Sequence, residues 1–133
     1  MAIKRRDESF FGLHFDFHAH PEKSKGKKIG ETLKEEDIRK ICREVKPDFI
    51  QIDCKGHPGY ASYPTKLGNA MPDFSMDTLA LWRKVTAEEG VALYLHYSGI
   101  RDLKYLRDGR LTEGAMQIDG TYLDEDICPF RIY

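Results

Sequence analysis

Cysteine is scarce in this sequence. The three present, Cys42, Cys54 and Cys128, are odd in number and form no CxxC pair. That argues against a disulfide framework and leaves buried free thiols in a reducing compartment as the expectation. An excess of one charge is also lacking: 21 basic against 22 acidic side chains give a formal net charge of -1. Phosphate neutralisation needs a basic surplus, so neither a nucleic-acid partner nor a membrane partner is expected. Long apolar runs are missing too. The longest, 90–100, is too short to cross a bilayer and contains His96. The basic start, 1–6, has no apolar segment after it, so no secretory signal is read and a cytoplasmic location is expected. The chain has no internal repeat and no low-complexity segment. Its 133 residues, 41% hydrophobic and 32% charged, have a globular composition and suffice for one modest core. They do not suffice for a closed eight-stranded α/β barrel, which takes about 250 residues.

What is there is an alternation of strands and helices. The aromatic run 10–17 (FFGLHFDF) reads as a first strand. A lysine-rich loop follows over 21–30, whose spacing matches no phosphate-binding loop. Thr32, with Glu35 three residues on, has the form of a capping box. Ile38, Ile41, Cys42 and Val45 then recur at helical spacing, and Pro47 ends that helix. A second strand spans 48–54, followed by a loop of about twenty residues, 55–75, long enough to expect a function for it. A second helix is read over 76–89, closed by Gly90. The run 91–97 (VALYLHY) is a third strand, apolar enough to be buried on both faces. The order β-α-β-α-β implies a parallel sheet of α/β class. Residues 103–133 show no strong periodicity and are expected to form an irregular tail. Within it, Asp119, Asp124, Glu125 and Asp126 read as a solvated loop.

In parallel α/β folds the site lies at the C-terminal ends of the strands. Here those ends read Asp16-Phe17-His18-Ala19-His20, Asp53-Cys54-Lys55-Gly56-His57 and His96-Tyr97-Ser98. Four of the five histidines fall there; His14, inside the first strand, is the exception. Two chemistries fit. Asp16-x-His18-x-His20 resembles the opening motif of metal-dependent amidohydrolases and related phosphoesterases, in which paired imidazoles hold a borderline cation. Carbohydrate recognition is the other, with Lys55 and His57 donating to hydroxyls and Tyr60 and Tyr63 offering ring faces.

Three segments, 11–18, 54–66 and 90–99, resemble the first three strand regions of α-L-fucosidase-like glycoside hydrolases, over roughly residues 10–102. The loop after the second strand is the most specific of them. The resemblance implies the N-terminal portion of a (β/α)8 barrel. It also implies retaining hydrolysis of a terminal sugar, by two carboxylates about 5 Å apart, and no cofactor. The family's Lys-His-His-Asp-Gly run stands here as Lys55-Gly56-His57-Pro58-Gly59, which keeps the second histidine as His57. Its loop tryptophan is Tyr63, and its Tyr-Tyr-Ser-Gly is His96-Tyr97-Ser98-Gly99. Its strand-one His-Trp-Gly is not matched in register: Asp16 occupies the histidine position and His18 lies two residues on.

The resemblance implies His18, Lys55, His57, Tyr63, His96 and Tyr97 as substrate-binding residues, with Tyr97 near the reacting centre. No residue matches the family's nucleophile, an Asp after a fourth strand, or its acid/base. The expected partners are a carbohydrate substrate and either the remaining barrel portion or a second copy of the chain. A truncated product that binds nothing is the third reading. It predicts poor solubility, because a three-stranded parallel sheet leaves open edges.

Overall fold

The computed structural model describes residues 4–128. Strands β1 (Gly12–Phe15), β2 (Phe49–Lys55) and β3 (Ala92–Tyr97) form a parallel sheet in the order β1-β2-β3. Helices α1 (Glu35–Val45) and α2 (Thr78–Glu88) are the crossovers between them. Each element falls in the segment that the periodicity indicates, with its ends shifted by one or two residues.

The side chains of the sheet separate by period two. Leu13, Phe15, Ile50, Ile52 and Leu93 pack with Ile38, Ile41 and Cys42 of α1 and with Trp82 and Val85 of α2. Ile38, Ile50 and Val85 are fully buried there. The alternate positions are His14, Gln51 and Tyr94, in register across the three strands, with Asp53 opposite His96 one step further along. One face of the sheet is therefore an apolar core and the other is polar.

Helix α1 starts two residues later than the capping box at Thr32 predicts. Lys34 is its N-cap and provides no side-chain bond. Glu35, Glu36 and Asp37 in its first turn complement the exposed N–H groups instead. The two helices are tied across their outer surface by Arg39, 2.6 Å from Glu35, Glu88 and Glu89. Hydrogen bonds from Lys84 and Arg39 lower the Glu35 pKa below the usual carboxylate value.

Two expectations need correction. The third strand is not buried on both faces: Leu95 is 48% and Tyr97 59% exposed. The physical reason is its position, because β3 is an edge of the described sheet. Nor is the segment after residue 103 irregular. It carries α3 (Leu103–Arg107), then β4 (Gly114–Met116) and β5 (Tyr122–Ile127) as an antiparallel pair. Leu106 is fully buried beneath it. Asp119 accepts from the Thr121 N–H and hydroxyl and so fixes the turn. Asp124 and Asp126 are not a solvated loop; they lie on β5 and pair with Arg107 at 3.0 Å and Arg101 at 2.9 Å. Local periodicity is blind to such pairs, because each partner lies on a different element. Residues 129–133 of the expected tail lie outside the described residues.

Asp48 anchors the entry to the sheet. Its carboxylate accepts from Lys4 Nζ and from the Phe10 and Phe11 N–H groups, at 2.5, 2.8 and 2.9 Å. These contacts, Lys4 first, hold the Asp48 pKa well below the usual carboxylate range. A lowered folded-state pKa contributes stability that is present above the unfolded value, near 4, and is lost as pH falls towards the folded one. Asp48→Asn should therefore be less stable than the parent at neutral pH. The difference should shrink on acidification below about pH 4, as followed by urea unfolding across a pH series. A difference constant from neutral to acid pH would contradict this.

Candidate functional site

The loop after β2 is folded back by the strand it leaves. Ser62 Oγ donates to the Asp53 carbonyl at 2.9 Å, and the Ser62 N–H donates to the Cys54 carbonyl at 2.9 Å. Ala61 bridges both Lys55 and Ala70. The long loop is thus pinned over the strand ends, and it gathers the polar residues into two groups.

The first group surrounds Asp53, which is 1% exposed. His18 Nε2 lies 2.8 Å from Asp16 Oδ1 and 3.2 Å from Asp53 Oδ2. His14 Nε2 lies 3.8 Å from Asp53 Oδ1. The His57 ring stands edge-on to His18 with centroids 4.3 Å apart, and His96 lies 6.1 Å from His14 by the same measure. Burial, and then the adjacent Asp16 carboxylate, push the Asp53 pKa up. Gly56 permits the His18 position, since a Cβ there would come within 2.5 Å of the His18 ring.

The second group is built on Lys55. Its Nζ is 2.7 Å from Asp102 Oδ2, donates to the Ser98 carbonyl at 2.7 Å and lies 4.6 Å from the centre of the Tyr97 ring. Asp102 also caps α3, accepting from the Tyr105 N–H through Oδ1 at 2.9 Å. Gly59, at φ +89°, is required beneath this pair: a Cβ would meet Asp102 Oδ1 at 2.1 Å. Lys55, Tyr63, Asn69, Tyr97 and Asp102 line a cavity of about 280 Å3. Burial, then the Asp102 charge, raise the Tyr97 pKa.

Of the residues named from sequence, His18 and His57 meet in the first group and Tyr63 and Tyr97 share the cavity of the second. His96 joins the first group through β3. Lys55 does not offer a free ammonium for hydroxyls; its side chain is 8% exposed and is held by Asp102 and Ser98. Its ammonium also stands over the Tyr97 ring. His20 does not gather with Asp16 and His18. Its Nδ1 accepts from the Glu22 N–H at 3.2 Å and its ring faces Tyr60. Sequence reasoning left out His14, Asp53 and Asp102 as site residues. The first two had a signal, the shared polar face of β1 and β2; Asp102 follows the end of the third strand, but its pairing with Lys55 at another strand end is not legible from spacing.

A second cleft, of about 330 Å3, adjoins His18 and is largely apolar, with Phe17, Ile29, Leu33 and Trp82 among its walls.

No protein-family model matches the sequence, and no curated protein matches it. Among solved structures, the chain is similar to α-L-fucosidase isoenzyme 2 from Paenibacillus thiaminolyticus, with a TM-score of 0.71 and 19% identity over 85% of this chain. It has that fold. The likeness spans 16% of the length of the fucosidase chain. The chain is α/β, with three parallel strands consistent with part of an α/β barrel. Among the described residues, no helix is long and apolar enough to cross a membrane.

Proposed function

We propose that the chain supplies the sugar-binding strand ends of an α-L-fucosidase-like glycoside hydrolase. The observation that carries this reading is the junction at His18. There a hydrogen-bonding cluster, Asp16, Asp53 and His57, meets an apolar cleft. A pyranose needs both: donors and acceptors for its hydroxyls, and an apolar wall for its C–H face. The fold shared with a fucosidase and the match of His57 and Tyr97-Ser98-Gly99 to the family pattern support the same reading.

In this proposal His18 and His57 bind hydroxyls, the apolar cleft beside His18 takes the C–H face, and Tyr63 and Tyr97 border the site from the neighbouring cavity. Lys55 positions Tyr97. His96 supports the cluster from β3. The retaining reaction requires a nucleophile and an acid/base about 5 Å apart, contributed by barrel strands beyond those described here.

Calorimetric titration of the chain with 4-nitrophenyl α-L-fucoside tests the proposal. His57→Ala should weaken binding about tenfold, the loss expected for one hydrogen bond to a ligand hydroxyl. Equal affinity in parent and variant, or no heat with either, would refute it.

A further inference from the structure

The polar cluster has a property that sugar recognition does not explain. Asp53 is 1% exposed, and neither carboxylate oxygen receives a well-formed hydrogen bond among the described residues. His18 Nε2 is near Oδ2 at 3.2 Å but lies closer, at 2.8 Å, to Asp16. A buried carboxylate left in this state is costly, and a second carboxylate beside it raises the cost. Something of positive charge belongs between them.

We propose that His14, Asp16 and Asp53 form a binding site for a divalent transition-metal cation of the zinc type. One ligand atom from each of the three lies within 4.8 Å of the others. Bonds of about 2.1 Å place pairs of ligands around one ion at about 3.5 Å, so the widest pair closes by up to about 1.3 Å, within reach of side-chain rotation. The donor set is one imidazole and two carboxylates, which suits a borderline cation better than calcium or magnesium. Its two negative charges balance the ion. His18 Nε2 touches both carboxylates, at 2.8 Å from Asp16 and 3.2 Å from Asp53, and so orients the two acidic ligands as an outer partner of a metal site does. The fold supplies the convergence. His14 and Asp16 are two apart along β1 and its end, so they share a face, and β2 brings Asp53 beside them.

This site is not the Asp16-x-His18-x-His20 arrangement. His20 is turned to the Glu22 backbone, and both His14 and Asp53 lie outside that motif. The proposal does not depend on sugar binding, and its test contains no sugar.

The full chain, stripped with a chelator, is dialysed against zinc chloride, and bound metal is counted by mass spectrometry. About one ion per chain is expected. Asp53→Asn should weaken binding at least tenfold, the scale of losing a metal contact, and so should His14→Gln. His20→Ala should bind as the parent does. Asp53→Asn is isosteric and removes a buried charge, so its metal-free melting temperature should not fall. If it does fall, the exposed Asp16→Asn carries the same expectation for zinc. Absence of stoichiometric zinc from the parent would overturn the proposal. So would affinity unchanged in Asp53→Asn and Asp16→Asn, or a loss in His20→Ala as large as theirs.

Discussion

Replacing Lys55 by methionine should cost about 3–5 kcal/mol of folding stability, the scale for breaking a buried ion pair from one side. The pair is Lys55 with Asp102, whose side chains are 8% and 11% exposed. Methionine keeps much of the apolar stem against the Tyr97 ring but leaves the Asp102 charge buried without a partner. The double variant Lys55→Met/Asp102→Asn should recover a large part of the loss. Asparagine retains an oxygen for the Tyr105 N–H that Asp102 caps, and it buries no charge. Urea unfolding of the parent, both single variants and the double variant measures this directly. A cost below about 1 kcal/mol, the range of exposed pairs, would mean that Lys55 does not seat Tyr97 as described.

Trp82→Ala should cost a similar amount, about 3–5 kcal/mol, through lost transfer energy and the cavity left behind. Trp82, on α2, is 3% exposed in the core shared by both helices and the sheet, with its ring 5.2 Å from that of Phe15. Domains of this kind have about 5–15 kcal/mol in total, so the variant should lose its near-ultraviolet dichroism or unfold at far lower urea. Leu67→Ala is the matching control. Leu67 is 84% exposed, and its removal should leave the midpoint unchanged. A sharp parent-like transition in Trp82→Ala would contradict the single core described between the helices and the sheet.

The parallel α/β order was legible because each element carries its own signal. The 3.6-residue recurrence of Ile38, Ile41 and Cys42 and the apolar run of β2 need no tertiary information. The boundary of α1 was not legible. Thr32 and Glu35 have the spacing of a capping box, but the Ile29 N–H donates to the Asp73 carbonyl and draws that turn to the long loop. The residues after 103 were unreadable for a different reason. β4 has three residues and β5 six, too short for a period to emerge, and their charged partners lie on other elements.

The candidate site was half legible. Histidines at strand ends announced themselves by position. His14 lies inside a strand, and its place on the polar face, two residues before Asp16, brings it to Asp53. Lys55 was recognised by type and misread in role, because sequence does not reveal that Asp102 and Ser98 engage its ammonium.

The central claim is that His18, His57 and Tyr97 lie on one sugar-binding surface while His20 does not. Imidazole and tyrosine ring resonances of the isotope-labelled chain, followed during titration with L-fucose, test it most directly. Saturable shifts of His18, His57 and Tyr97 along one binding curve are expected, with His20 unmoved. Shifts at His20 alone, or none at saturating sugar, would contradict it.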